Sequence, residues 1–280
     1  MLADVLDVLR CPHCAGSLRH DGTTLRCQRR HAFDIARQGY VNLLGGVGQG
    51  TGDTLPMVQA RADFLAAGHY RPLADALAAT IRGIETADPW PVLLDAGAGT
   101  GYYLAAALKA RTQSRGLALD LSKSAARRAA RSHPRIAAAV WDIWRPLPIV
   151  DQTVSVVLDV FAPRNGAEFA RVLRPDGTVL VATPTDRHLA EIIELGGMLA
   201  VDARKDERLA ATFGGTLELV DRNEVTWPMS LSPAEVELVI RMGPSARHVD
   251  ESELANRIAT LTAPTPVTAS VVLSRYRRSG

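Results

Sequence analysis

All three cysteines of this 280-residue chain lie in one 17-residue window, as Cys11-Pro-His-Cys14 and Cys27, with His31 four positions after Cys27. Three thiolates and an imidazole complete a tetrahedral shell for Zn²⁺, and a shell with no open position is the structural rather than the catalytic kind. C-x2-C and C-x3-H each span a tight turn, and the twelve residues between them can form a hairpin with Asp21-Gly22 as its turn signal. His13 and His20 compete for the fourth place. His31 is preferred because Cys27 needs a partner in its own knuckle, whereas His13 sits between two ligands. The alternative is a disulfide with one thiol left over. The start Met1-Leu2-Ala3-Asp4 is acidic where an export signal is basic, so a cytoplasmic chain is expected, and a reducing compartment favours metal over disulfide.

A second chemical signature lies at Asp95-Ala-Gly97-Ala-Gly99-Thr-Gly101, between the strand Val92–Leu94 and a helix from Tyr102. Strand, glycine turn and helix N-terminus make a nucleotide-type site. The dinucleotide fingerprint is G-x-G-x-x-G. Here the form is D-x-G-x-G-x-G, that of S-adenosylmethionine enzymes. Asp95 can take the cofactor's ammonium group, while the side-chain-free turn lets carboxylate and ribose lie against backbone N–H groups. Asp120, ending the strand Gly116–Leu119, is placed to accept the ribose hydroxyls. Asp142, after the strand Ile136–Val140, is placed for the adenine amino group, with a helix cap or loop role as the competing reading.

The elements that must position these residues follow from periodicity. A helical stretch is expected from Leu55 to Ile84, with apolar Phe64, Leu65, Leu73, Leu77 and Ile81 and a break at Pro72. Alternating strands and helices follow, including a strand Thr153–Val160 and another Thr178–Ala182. The tail Leu217–Arg277 reads as strand, helix, helix, strand, and is expected to complete the sheet with an antiparallel hairpin. This predicts an α/β fold: a doubly wound, Rossmann-like methyltransferase domain preceded by a small zinc-binding domain. The divisions are 1–40 for the zinc module, 41–85 for a linker and helical region, and 86–280 for the methyltransferase domain. Five glycines in residues 45–52 read as a linker or mobile loop.

Composition sets limits. With 47% hydrophobic and 22% charged residues the chain is an ordinary globular protein, and no apolar run reaches the length of a membrane span. Its net charge of +2 hides local asymmetry. Arg26, Arg29, Arg30 and Arg37 stand against Asp34 alone, a local +3 beside the metal hairpin that suits phosphates. Lys123, Arg127 and Arg131 fall on one helical face, and Arg275, Arg277 and Arg278 form a basic tail. For each of these, a solvated face is the preferred reading over nucleic-acid binding.

Over nearly its whole length the chain resembles the bacterial large-subunit rRNA guanine-N1-methyltransferases. The likeness rests on the CPHC knuckle with Cys27-Gln-Arg-Arg-His31, Phe33-Asp34, Gly39-Tyr-Val-Asn-Leu-Leu44, Gln59-Ala-Arg61, Phe64-Leu-Ala-Ala-Gly-His-Tyr70, Gly101-Tyr-Tyr103, Ala182-Thr-Pro184 and Arg187-His-Leu189. The resemblance implies a zinc-bearing recognition domain, in which Arg29, Arg30 and Arg37 would meet RNA. It also implies a homodimer that clasps a 23S rRNA hairpin loop, and cofactor contacts at Tyr70, Gly101, Tyr102 and His188. The family so resembled has two branches, methylating guanine 745 or guanine 748 of that loop, the second contributing to resistance to tylosin-type macrolides. The Ala- and Arg-rich composition points to that branch. The catalytic base is left unassigned: Asp159 ends a strand where a base could act, but the other branch carries a basic residue there. Two other readings stay open, a small-molecule methyltransferase with a purely structural zinc and a non-catalytic RNA-binding protein.

Overall fold

The computed structural model describes residues 2–45, 52–196, 213–247 and 250–279; most of the glycine-rich linker, at 46–51, lies outside them. Strands β1 (Leu18–Asp21), β2 (Thr24–Cys27) and β3 (Ala32–Asp34) form a three-stranded antiparallel sheet. Asp21 pairs with Thr24, so the turn is Gly22-Thr23, one residue later than its sequence signal, and Gly22 takes the positive φ of 63° it requires.

β4 (Tyr40–Asn42) leaves this module and pairs in parallel with β7 (Ile136–Val140), so residues at the expected start of the linker form an edge of the main sheet. Helices α1 (Leu55–Ala66) and α2 (Arg71–Arg82) follow. Here the expected break moves. The chain turns at Gly68, φ 87°, and Pro72 sits in the first turn of α2, where its missing N–H costs nothing.

The remaining elements are β5 (Val92–Ala96), α3 (Tyr102–Ala110), β6 (Arg115–Asp120), α4 (Lys123–Ser132), β8 (Val154–Val160), α5 (Gly166–Val172), β9 (Leu173–Pro184), α6 (Ala190–Gly196), β10 (Leu217–Leu231), α7 (Pro233–Met242), α8 (Glu251–Ala259) and β11 (Thr265–Arg278). The main sheet has the order β10-β11-β9-β8-β5-β6-β7-β4, parallel except for β11, which is antiparallel to both neighbours. This is the doubly wound arrangement, closed by the hairpin-like tail that the sequence indicated. Among the described residues no helix is long and apolar enough to cross a membrane.

Side-chain parity divides the core into two. On β5, Leu93 joins the cluster under α1 to α4 and α7, whereas Val92, Leu94 and Ala96 face the other way. That second face is shared with Val5, Leu9, Cys11, Leu25 and Phe33, so the N-terminal module and the sheet bury one continuous cluster. The N–H of Arg10 donates to the Pro148 carbonyl at 3.0 Å, and Arg115 pairs with Asp7 at 2.7 Å.

Candidate active site and metal centre

Two tight turns assemble the metal ligands. The Ala15 N–H donates to the Cys11 carbonyl at 2.8 Å and the Arg30 N–H to the Cys27 carbonyl at 3.0 Å, with Ala15 and Arg30 at φ of 57° and 65°. Cys11 Sγ and Cys27 Sγ each lie 3.4 Å from His31 Nδ1, and Cys14 Sγ lies 3.7 Å from Cys27 Sγ. Zn–S bonds of about 2.3 Å and a Zn–N bond of about 2.1 Å give tetrahedral edges of about 3.6 to 3.8 Å. The donor set therefore fits one structural zinc. His13 is not part of it: its ring stacks on Phe33 at 5.6 Å. His20 lies exposed on β1.

Over the carboxyl ends of β5 and β8, walled by α1, α3 and α7, lies a cavity of about 250 Å³. The glycine turn forms its floor. Gly97, Gly99 and Gly101 have φ of 85°, 54° and 77°. A Cβ on Gly97 would lie 2.6 Å from that of Ala162, and one on Gly101 would lie 2.9 Å from Cα of Ala129, because α4 approaches on its all-alanine buried face.

Asp120 ties this turn to the next helix. Its Oδ2 accepts from the Gly99 N–H at 2.7 Å and its Oδ1 from the Ser122 N–H at 2.8 Å. Ser122 caps α4 and donates its hydroxyl to the Asp53 carbonyl at 2.6 Å. Asp53 pairs with Arg61 at 2.6 Å, and Arg61 donates to the Met242 carbonyl at 2.7 Å, so the segment entering α1 is strapped across the cavity to the end of α7.

Tyr70 and His188 meet in the opposite wall, Oη to Nε2, at 3.0 Å. The Ser270 N–H donates to His188 Nδ1 at 3.2 Å. A backbone N–H can only donate, so in the neutral ring the proton sits on Nε2 and points at the Tyr70 oxygen. The phenolic proton is then left to face a ligand. Burial raises the Tyr70 phenol above its ordinary range.

Asp95 is buried beneath the turn with Oδ2 lacking a hydrogen-bond partner. Burial first, and the neighbouring Asp120 carboxylate second, push it up to about 8. An ammonium group in the cavity would be the missing partner. Neutral Asp95 favours the fold below its unfolded value near 3.8, and that contribution is lost as the pH rises through about 8. Binding of an ammonium needs the ionised form. Affinity for S-adenosylmethionine should therefore climb with pH to a maximum near 8, then decline as the ligand's amino group, of ordinary pKa about 7.7 to 8.0, loses its own proton. Calorimetry across this range checks it, and an acid limb that survives Asp95→Asn would refute the assignment.

The structure thus gathers Tyr70, Asp95, Gly97, Gly99, Tyr102 and His188 around one cavity, with Asp120 and Gly101 bracing its floor. Asp142 is not gathered. It closes the turn after β7, accepting from the Trp144 N–H at 3.0 Å. Asp159 is also elsewhere: β8 turns Val160 towards the cavity and Asp159 to the opposite face, where it pairs with Arg164 at 3.2 Å. Sequence reasoning missed Asp53, Ser122 and above all Phe161. Phe161 lines the cavity, is 39% exposed and holds a left-handed backbone at φ 55°. Such strain in a bulky residue collects at functional sites. Arg29, Arg30 and Arg37 are exposed on the zinc module, outside the cavity.

Comparison with known proteins matches this geometry. Residues 9–46 match the zinc-ribbon family described as "RlmA, N-terminal", and residues 93–177 match a methyltransferase domain family. A Streptomyces fradiae 23S rRNA (guanine(748)-N(1))-methyltransferase is 46% identical, over 99% of each chain. A Micromonospora griseorubida protein assigned to the 23S rRNA (guanine-N(1)-)-methyltransferases is 48% identical over the same shares. A solved methyltransferase, in complex with the Haloferax volcanii Trm112 methyltransferase activator, superposes with a TM-score of 0.52 at 19% identity, covering 82% of this chain and all of that one. At that identity the likeness concerns the fold alone.

Proposed function

The chain belongs to the 23S rRNA (guanine-N(1)-)-methyltransferase family, and from that premise we propose that it methylates N1 of a guanine in a domain II hairpin loop of 23S rRNA, of the 748 type, in the cytoplasm. The observation that carries this reading is the end-to-end 46% identity with the Streptomyces fradiae enzyme, because it spans the zinc ribbon and the cofactor cavity together. Methylation there would contribute to resistance to tylosin-type macrolides. The homodimer and the division into residues 1–40, 41–85 and 86–280 belong to the same proposal.

S-adenosylmethionine, when bound, supplies an electrophilic methyl group. The chain's residues do the rest. Asp95 and Asp120 take the ammonium and ribose ends, the glycine turn offers its amides, and Tyr70, supported by His188, closes the wall. Guanine N1 carries a proton and is paired in a duplex, so the base must be unstacked, which is cheapest in a loop. Phe161 offers that base an aromatic face at the cavity mouth, 6.2 Å from the Tyr70 ring and 5.6 Å from that of His188. Stacking of a base on an aromatic side chain is worth about 1–3 kcal/mol. Asp159 faces away and is taken by Arg164, which removes it from the reacting side.

The test is methylation of a domain II rRNA fragment mapped by primer extension, since N1 methylation blocks pairing. One stop at the target guanine is expected. Arg29→Glu, Arg30→Glu and Arg37→Glu together should weaken it, and Phe161→Ala should lower kcat/KM by roughly 10- to 100-fold at unchanged cofactor affinity. No stop and no methyl incorporation with the wild-type chain would overturn the proposal.

A further inference from the structure

A groove of about 1130 Å³ runs between α1, α2, α3 and α4, on the face of the sheet opposite the zinc ribbon. Alanines such as Ala66, Ala78 and Ala106 form its floor, and its rim is basic. Arg71, Arg82, Lys109, Arg127, Arg128 and Arg131 line it against one acid, Asp75, which Arg71 engages at 3.6 Å.

The charge bias is local to this region. From Thr100 to Trp141 there are eight Lys and Arg against the single acid Asp120, in a chain whose totals nearly balance, 32 with 30. Three of the eight have structural work. Arg111 donates to the Ile81 carbonyl at 3.2 Å, Arg115 pairs with Asp7, and Arg135 donates to the Arg111 carbonyl at 3.1 Å. Of the rest, Lys109, Arg127 and Arg131 line the groove, and they and Arg82 are exposed and form no ion pair among the described residues. A merely solvated helix face would interleave carboxylates, which gain energy at i+4. α4 has none.

Resting on the rRNA reading above, we infer that this groove is a second RNA-binding surface, holding the sugar-phosphate backbone of the substrate. Leu65, Thr100 and Tyr102 line both the groove and the cofactor cavity, so a strand lying along the rim leads to the reaction site. β4, which follows the ribbon, and α4, which packs on β7, share one edge of the sheet. The RNA is gripped around that edge, by the ribbon arginines on one face and the groove on the other. A second copy of the chain is a poor occupant, because a two-fold contact would set like charges against each other.

The test is Lys109→Glu, Arg127→Glu and Arg131→Glu combined in the full chain, with the corresponding glutamine variant as a milder companion. Fluorescence anisotropy follows binding of a labelled domain II rRNA fragment across roughly 50 to 200 mM salt. Three lost phosphate contacts at about 0.7 each should flatten the log–log salt slope by about 2 and weaken low-salt binding about tenfold or more. The glutamine variant should fall between, and calorimetry should show unchanged cofactor affinity in both. Unchanged RNA affinity and slope would overturn the groove, as would anionic vesicles binding in a charge-dependent way while RNA binding stayed constant. Methylation of the fragment by the wild-type chain is scored separately. If binding depends on the groove but no methyl is transferred, the groove stands and the guanine-N1 reading falls.

Discussion

Asp120→Ala will reduce affinity for S-adenosylmethionine by on the order of 10²-fold or more while the chain stays folded. Asp120 accepts one backbone N–H from the glycine turn and one from the start of α4, and its half-buried carboxylate is also the proposed ribose acceptor. Hydrogen bonds to a charged group are worth about 1.5–3 kcal/mol each, so losing the brace and the ligand contact together exceeds what one contact would cost. Asp120→Asn separates the two effects. Its amide keeps one acceptor oxygen, so it should keep one of the two N–H bonds and fall between wild type and alanine. Calorimetric titration of both variants decides the matter: affinity within twofold of wild type would show that Asp120 only terminates a strand.

Removal of the metal, by a chelator or by Cys27→Ser, will unfold the ribbon ahead of the rest and leave cofactor affinity nearly intact. Structural zinc contributes about 10–16 kcal/mol of apparent folding free energy in small modules, and the three-stranded sheet of the ribbon is too small to replace it. The cofactor cavity lies on the other face of the main sheet and takes no lining residue from positions 2–45. The loss will not be silent, however. The ribbon covers Leu94, Leu117 and Leu119, and their exposure should lower the melting temperature of the remaining domain. Calorimetric melting with and without chelator, followed by cofactor titration, measures both effects. Loss of cofactor binding in step with the ribbon would mean that the ribbon and the methyltransferase domain fold as a single unit.

What could be read before any fold was known was what lies close along the chain. Cys11, Cys14, Cys27 and His31 declare a zinc site because two short turns bring them to one metal, and turn geometry is a property of three or four consecutive residues. The glycine turn is legible for the same reason: positive φ at 97, 99 and 101 needs residues without a Cβ. The order of strands and helices follows from periodicity, so the doubly wound sheet and its antiparallel tail could be anticipated. The break before α2 was misplaced because Pro72 reads equally as a helix breaker and as a first-turn residue.

The tertiary structure decided which way side chains point and which distant segments meet. Tyr70 and His188, 118 residues apart, form one wall, and Arg61 reaches the Met242 carbonyl across 181 residues. No local propensity encodes such pairs, because they arise only when segments far apart in the chain pack over the same strand ends. Side-chain parity alternates along any strand, but which parity faces the cofactor depends on the layer of helices that covers it. That turned Asp95 inward and Asp159 away. It is also why the arginines of α4, which by sequence alone read as a solvated face, line a groove beside the cofactor cavity.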